Sequence, residues 1–258
     1  MDPKDLKASF PEPYPFLFQH GVKGQFFGKD MQKKLNYKAD INSAYYHYLA
    51  TRPLPIVLLE SYDTEEEADK VFQATLGTKS ESAIYYFYFE VFRVSDPDLL
   101  PYWFRKSATK FNIILSNEDI IDMASRGVTF EYSIKKAELY HLAHGSFIAD
   151  LSTTLINSKE KATSADTKQL IKDKSMIPML EHLRITNSPI LWYIESLVTF
   201  YVNKMWDDVT KLGYQVGCVM KDSIEFNSNL SYDKVKSDLE SIGMSFGTRA
   251  GQRKIEVR

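Results

Sequence analysis

Residues 38–46 read Lys-Ala-Asp-Ile-Asn-Ser-Ala-Tyr-Tyr, and this stretch places one carboxylate, Asp40, at the end of a predicted short strand. Far along the chain, residues 214–226 have the pattern of two short strands around a tight turn that carries a second carboxylate, Asp222. Taken alone, each acid is more often a cap, a surface or a turn residue. If the fold brings the two together on one sheet, they are the minimum that could hold a pair of magnesium ions.

The residues after Asp40 favour the start of a helix. A carboxylate at that place lies near exposed backbone N–H groups, which are suited to a metal-bound triphosphate. Tyr45 follows one helical turn later, where its ring is placed to lie beneath a sugar.

The composition limits the class of protein. The chain has 258 residues, 44% of them apolar, enough for one large domain or two closely joined subdomains. Its single cysteine, Cys218, excludes an internal disulfide, and no signal peptide or long apolar run is visible, so we expect a reducing, cytoplasmic environment. The formal charge of −2 argues mildly against unaided binding of long duplex DNA, because that binding needs clustered Lys and Arg.

The pattern along the chain predicts an α+β fold. Residues 83–94 are aromatic and β-branched enough to predict a central strand. A short helix is expected from Asn117, with Ser116 as its N-cap and Gly127 as its stop. Residues 146–183 predict two charged, antiparallel helices with a polar break between them.

The last third of the chain contains the best-defined helix. Ser188 is placed to cap it, Pro189 suits its first turn and Gly213 ends it. Its wide apolar stripe predicts burial against a sheet. A final helix over residues 232–242, with Ile242 facing inward, precedes the closing strands.

Two other candidate sites are weaker. His141 and His144 are three residues apart on a predicted helix, but no third ligand is evident, and a solvated or capping pair is the commoner explanation. Cys218 falls in a predicted buried strand and is better explained as core than as a nucleophile.

The sequence resembles the family B DNA polymerases, and most closely their protein-primed phage branch. Residues 40–45 resemble the first polymerase motif, D-x-x-S-L-Y, and residues 221–224 resemble the end of the D-T-D-S-I motif. Residues 168–172 resemble the start of the fingers helix, and residues 189–216 resemble the long palm helix. Residues 21–25 weakly resemble the template-binding turn, so the resemblance runs in order from about residue 20 to 226.

The resemblance implies a set of roles. Asp40 and Asp222 would hold two Mg²⁺ or Mn²⁺ ions for nucleotidyl transfer to a primer terminus. The nucleotide would be bound by a hydroxyl, a tyrosine that checks the sugar and three lysines: Ser43, Tyr45, Lys168, Lys172 and Lys174. The DNA would be contacted by Lys23, Gly24 and Ser223.

The resemblance also implies a domain order. Residues 1–19 are expected to be an extended lead-in, and residues 20–145 the first part of a palm with an antiparallel sheet backed by helices. Residues 146–186 would form a fingers-like helical hairpin, and residues 187–258 the second part of the palm with a C-terminal helix and strands. We expect no exonuclease domain and no evident thumb in this chain.

Several positions depart from the family pattern. Met220 stands where the first Asp of D-T-D is expected, and Lys221 replaces the Thr. After Lys172 the Asn, Ser, Tyr and Gly of the fingers motif are missing, and Pro178 is expected to disturb a helix there. An ammonium at Lys221 could substitute electrostatically for a metal ion beside Asp222.

Three interpretations remain open from the sequence. The chain is a minimal polymerase from a phage or mobile element in a bacterial host, acting with primer–template or single-stranded DNA, deoxynucleoside triphosphates and other replication proteins. Alternatively, it is a catalytically degenerate palm that binds DNA or a replisome partner. A third possibility is a structural subunit completed by a separate exonuclease or thumb chain. A membrane partner is not expected in any of them.

Overall fold

Two antiparallel sheets and the helices packed on them form the described part of the chain, which confirms the predicted α+β class. The computed structural model describes residues 35–94, 111–125, 127, 129–186, 188–220 and 222–257.

The elements follow one another in an order close to the predicted one. They are β1 (Tyr37–Ile41), α1 (Ala44–Thr51), β2 (Leu54–Tyr62), α2 (Glu65–Thr75), β3 (Ala83–Val94), β4 (Phe111–Ser116), α3 (Asn117–Ser125), β5 (Phe130–Ala143), α4 (Phe147–Lys161), α5 (Ala165–Ile171), a π-helical turn (Lys172–Met176), α6 (Ile177–Ile185), α7 (Pro189–Lys211), β6 (Gln215–Met220), β7 (Ser223–Asn227), α8 (Tyr232–Ser241) and β8 (Arg253–Val257).

The first sheet has the strand order β6-β7-β1-β8, and the second has the order β2-β5-β3-β4. All pairings between neighbouring strands are antiparallel. In the first sheet β1 is an inner strand that pairs with β7 on one side and β8 on the other. In the second sheet β3 is an inner strand, as its aromatic and β-branched sequence predicted.

Helix α7 carries much of the core. It contacts β2 of the second sheet, β6 and β7 of the first sheet, and α1. Its residues Ile194, Val198 and Met205 are almost fully buried. This arrangement agrees with the wide apolar stripe seen in its sequence. Within the described residues, none of the helices is both long and apolar enough to cross a lipid bilayer.

Local signals located several element ends correctly. Ser116 Oγ accepts from the backbone N–H of Asp119 at 3.0 Å, and the Asp119 carboxylate accepts from the Ser116 backbone N–H at 2.9 Å. This reciprocal pair is a capping box at the start of α3. Gly127 and Gly213 follow α3 and α7 with φ of 75° and 82°, a conformation that glycine adopts without steric cost.

Three local predictions were wrong, wholly or in part. His141 lies in β5, not in a helix, because β5 is paired on both sides by β2 and β3 and sheet pairing overrides the helical propensity of its Ala, Glu and Leu residues. Ser188 is the N-cap residue of α7, as expected, but its side chain does not make the capping hydrogen bond. Ile242, expected to face inward, is 37% exposed because α8 ends one residue earlier.

Pro178 has the predicted disturbing effect, although the helix continues through it. The π-helical turn lies directly before α6, whose first turn contains Pro178. Proline has no N–H to donate and clashes with the preceding turn, so a wider turn at this point relieves the conflict.

Candidate functional site

The pairing of β1 with β7 places the two predicted acids side by side. Asp40 lies opposite Ser223 in the register, and the backbone N–H of Ile41 donates to the carbonyl oxygen of Asp222 at 3.0 Å. With neighbouring strands about 4.8 Å apart and a rise of about 3.3 Å per residue, the Cα atoms of the two acids are about 6 Å apart. Remote positions in the sequence therefore become neighbours on one sheet.

Asp40 is a buried carboxylate, 9% exposed, with two ammonium groups on the same oxygen. Lys254 Nζ lies 3.2 Å and Lys38 Nζ 3.7 Å from its Oδ2. Lys254 also pairs with Glu256 at 2.8 Å. Burial alone would lower the pKa of Lys254, but its bonds to Glu256 and Asp40 and their charges outweigh burial and raise it.

The turn after β1 is held in an unusual conformation. Ser43 has φ 50° and ψ 39°, the only positive φ outside glycine among the described residues. Asn42 ties this turn to the segment before β8 through its backbone N–H, which donates to the Gln252 carbonyl, and its Nδ2, which donates to the Gly247 carbonyl at 2.7 Å. Left-handed backbone at a non-glycine residue costs about 1 kcal/mol and is concentrated at functional sites.

Lys159 joins the site from α4. Its Nζ donates to Ser43 Oγ at 3.0 Å. Burial lowers the pKa of Lys159, and the positive charges of Lys172 and Lys254 lower it further, while the Asp40 and Asp222 carboxylates act in the opposite direction. The Lys159 ammonium is therefore within electrostatic reach of both acids.

Sequence reasoning missed Lys159, Lys254 and Lys38 as members of the site. Helix α4 brings Lys159 to Ser43, and β8 brings Lys254 to Asp40. Lys38 lies two residues before Asp40 in β1. Lys38 had a readable signal, because residues two apart in a strand face the same side. Lys159 begins a basic run that the sequence shows, but nothing local distinguishes it from the other lysines of that run.

The three predicted lysines differ in their position. Lys172 is exposed in the π-helical turn, and its charge is near enough to lower the pKa of Lys159. Lys174 is exposed in the same turn, and Lys168 is exposed on α5. No described contact joins either of these two to the acids. The π-helical turn is held to α1 by the Tyr46 hydroxyl, which donates to the carbonyl oxygen of Met176 at 2.5 Å.

Tyr45, in α1, is half-buried. Burial raises its pKa, and the carboxylates of Glu195 and Asp222 raise it further. Glu195 is a buried residue of α7. The phenol therefore stays protonated at any physiological pH and acts as a neutral wall of the site. Ser223 is buried opposite Asp40 in β7.

Some predicted residues cannot be placed. Lys23, Gly24 and Lys221 lie outside the described residues, as do the lead-in over residues 1–19 and the side chain of Met220.

The two acids supply oxygen ligands of the kind that a divalent cation takes. Among the described residues no group of three His, Cys, Asp or Glu side chains could hold a metal ion. Asp40 and Asp222 are oxygen donors, and Mg²⁺ is commonly bound by one or two carboxylates together with substrate phosphates. The residues therefore fit a cation whose ligands are completed by a triphosphate, and they do not form an all-protein cage.

No protein-family model and no curated protein sequence matches the chain. Solved structures of Phi29 DNA polymerase do match. The complex with primer-template DNA is 12% identical with a TM-score of 0.58, and the alignment covers 98% of this chain and 48% of the polymerase chain. The complex with single-stranded DNA is 13% identical with a TM-score of 0.55 and the same coverage.

A third complex, with primer-template DNA and incoming nucleotide substrates, is 13% identical with a TM-score of 0.53, and the alignment covers 98% of this chain and 50% of the polymerase chain. Identity this low establishes similarity of fold and not of activity. The chain spans about half the length of the polymerases that it matches, and it has a polymerase-like fold over that half.

Proposed function

We propose that the chain is the nucleotidyl-transfer part of a family B DNA polymerase of the protein-primed type, acting on a primer terminus in the replication of phage or mobile-element DNA. One observation carries the proposal: β1 and β7 bring Asp40 beside Asp222 within a fold shared with half of a DNA polymerase. In this assignment, residues 20–145 and 187–258 are the palm and residues 146–186 are the fingers.

Asp40 and Asp222 would hold the magnesium ions. The ions supply charge neutralisation on the triphosphate and activation of the primer hydroxyl. Lys159, Lys172 and Lys254 surround the acids with positive charge that suits the triphosphate, because ammonium groups bind phosphate as point charges. Ser43 orients Lys159 through its hydroxyl.

The remaining predicted residues have roles at the edge of this site. Tyr45 would border the sugar, since the carboxylates of Asp222 and of Glu195 in α7 are both near enough to raise the pKa of its hydroxyl. Lys168 and Lys174 would extend the binding of the nucleotide phosphates. Ser223, Lys23 and Gly24 would contact DNA, and the partners would be primer–template or single-stranded DNA, deoxynucleoside triphosphates and other replication proteins in the cytoplasm of a bacterial host.

A primer-extension assay with Mg²⁺ or Mn²⁺ tests the proposal. The wild-type chain is compared with Asp40→Asn, Asp222→Asn and the control Asp166→Asn, which changes an exposed acid of α5. We expect extension by wild type and the control and its loss in both site variants. Equal activity in all four proteins would overturn the proposal.

A second function is favoured by the ion pairs of Asp40. Lys254 and Lys38 already neutralise this carboxylate, and Met220 stands where the family has a further acid. A palm in which lysines replace the metal ions would bind DNA or a replication partner without catalysis. This function predicts DNA binding that is indifferent to divalent cations, and a calorimetric Mn²⁺ site that depends on Asp40 and Asp222 would contradict it.

A further inference from the structure

A cavity of about 430 Å³ lies away from the two acids, between α3 and α7. Arg52, which follows α1, and Lys79, which precedes β3, close its other sides. Small-ligand pockets have volumes of roughly 300–1,000 Å³, so this cavity has a suitable size. It is distinct from the candidate site, because Ser43 and Arg52 lie at opposite ends of α1, whose eight residues span about 12 Å.

One wall of the cavity is aromatic and rigidly held. Tyr201 stacks on Tyr48 with ring centroids 5.1 Å apart and an interplanar angle of 7°. Its hydroxyl accepts from Arg52 Nη2 at 2.7 Å. Phe200 packs edge-on against Tyr201 and is 42% exposed, so its ring is open to a ligand. Exposed aromatic faces of this kind stack on planar rings.

The opposite wall is acidic, with Glu118, Asp119 and Asp122 in its lining, and the first two of these acids differ. Asp119 accepts from the hydroxyls of Ser116 and Ser196, each at 2.9 Å, and so ties α3 to α7. Glu118, the neighbouring residue, is half-buried and makes no hydrogen bond or ion pair with a described residue. Burial raises its pKa, and the charge of Lys79 opposes this effect.

The charged groups of the cavity suit a ligand that carries both a hydrogen-bond donor and an anionic group. Glu118 offers an acceptor for a donor group, whereas Arg52 and Lys79 offer two positive charges to an anion. Arg52 and Lys79 are the two cations of a lining that also holds three acids, and a phosphate group accepts charge-assisted hydrogen bonds from two such cations. A carboxylate beside a stacking ring accepts from an exocyclic amine, such as N4 of cytosine.

We propose that this cavity is a second nucleotide-binding site, which takes a base with an exocyclic amine against Glu118 and Phe200 and its phosphate against Arg52 and Lys79. The proposal goes beyond nucleotidyl transfer and does not depend on it. The nucleotide is either free or one unit of a single strand, and the chemistry of recognition is the same in both cases.

Isothermal titration calorimetry of the full chain in EDTA tests the proposal, since chelation removes any metal-dependent binding at the two acids. The probes are deoxycytidine 5′-monophosphate, deoxycytidine, thymidine 5′-monophosphate and a short 5′-phosphorylated oligodeoxycytidylate. We expect the first probe to bind more tightly than the second and third. Tighter binding of the oligonucleotide than of the mononucleotide identifies a strand as the source, and the reverse identifies a free nucleotide.

Three variants locate the binding. Glu118→Gln and Lys79→Met should each weaken binding of deoxycytidine 5′-monophosphate about tenfold, since each removes a charge-assisted hydrogen bond. Phe200→Ala should weaken it by a similar factor, about tenfold, through lost stacking. The matched controls Phe147→Ala and Lys70→Met, both at exposed positions, should leave it unchanged.

Asp40→Asn should also leave this binding unchanged, so failure of the cavity and failure of the proposed catalytic site are separable. Absence of binding at millimolar probe concentrations would overturn the proposal. Binding that survives in all three cavity variants would overturn it as well.

Discussion

Two buried carboxylates, Glu138 in the second sheet and Asp40 in the first, have very different surroundings. Glu138 accepts from the hydroxyls of Tyr88 at 2.8 Å and Tyr140 at 3.0 Å, and it pairs with Lys136 at 2.8 Å. Each of these three neighbours is a hydrogen-bond donor, and the Glu138 carboxylate accepts from all of them. Such a fully satisfied buried network stabilises and orders a core.

Asp40 lies in a cluster whose charges do not balance. Lys38 and Lys254 pair with it, and Lys159 and Lys172 add two more ammonium groups, whereas the further carboxylates are Asp222 and Glu256, the second partner of Lys254. The mutual repulsion contributes to the lowered pKa of Lys159. A cluster with excess positive charge is completed by a bound anion, and perturbed groups of this kind are typical of functional sites. The comparison therefore indicates that Glu138 stabilises the fold, whereas Asp40 belongs to the candidate functional site.

The largest expected effect is on activity at Asp40. Asp40→Asn should lower primer extension on the order of 10²–10³-fold, because a group that stabilises developing charge is removed. The free energy of unfolding should change little, since Lys254 keeps Glu256 as a partner. Urea denaturation alongside the extension assay checks both parts, and a strong loss of stability with retained activity would place Asp40 in the same class as Glu138.

The opposite result is expected at Glu138. Glu138→Leu removes the shared carboxylate that accepts from the half-buried hydroxyls of Tyr88 and Tyr140, so the free energy of unfolding should fall by about 1–3 kcal/mol. Glu131→Gln is the control, because Glu131 and its partner Arg93 are both well exposed and such pairs contribute about 0–1 kcal/mol. Equal stability of the two variants in urea would contradict the comparison.

Lys159 sharpens the comparison through nucleotide affinity. Lys159→Met should raise the KM for the deoxynucleoside triphosphate about tenfold, because one charge-assisted contact with phosphate is lost. Steady-state kinetics with Lys161→Met as the control, an exposed lysine of the same helix, measures the effect. An unchanged KM would remove Lys159 from the site.

The same variant tests the electrostatics of the folded protein. Because the pKa of Lys159 is lowered below 10.5, the unfolded chain binds more protons between the folded value and 10.5. The free energy of unfolding of the wild type should therefore rise relative to Lys159→Met as the pH increases through that window. A difference that is flat or falls with pH would show that burial and the neighbouring positive charges do not lower the pKa of Lys159 in the folded protein.

The smallest effect concerns the turn at Ser43. Ser43→Gly and Ser43→Ala both lose the hydroxyl that binds Lys159, but only glycine adopts the left-handed backbone without steric cost. The glycine variant should be more stable than the alanine variant by about 1 kcal/mol. Thermal denaturation of the pair measures it, and equal stabilities would contradict the strained turn.

Local sequence signals predicted much of the fold. The capping box at Ser116, the glycine after α7 and the strand–turn–strand pattern around Asp222 are each decided by a few adjacent residues. Propensity failed at His141, where β5 is held by neighbours on both sides. Capping at Ser188 also failed, since a preferred residue type does not ensure that its hydroxyl reaches the helix.

The candidate site was only partly predictable for a physical reason. Asp40, Ser43 and Tyr45 are close in sequence, so their spacing is readable. Lys254 reaches Asp40 through the pairing of β8 with β1, and Lys159 reaches Ser43 through the packing of α4 on α1. Contacts between residues more than a hundred positions apart produce no repeating pattern in the sequence, so these two contacts could not be predicted from it.

The central claim is that Asp40 and Asp222 together bind a divalent cation with a nucleotide. Electron paramagnetic resonance of Mn²⁺, titrated into the chain with a primer–template and a deoxynucleoside triphosphate, tests it most directly. We predict a bound Mn²⁺ signal that requires the nucleotide and is lost in Asp40→Asn and in Asp222→Asn. A signal of the same size in the wild type and both variants, or no bound Mn²⁺ in the wild type, would contradict the account.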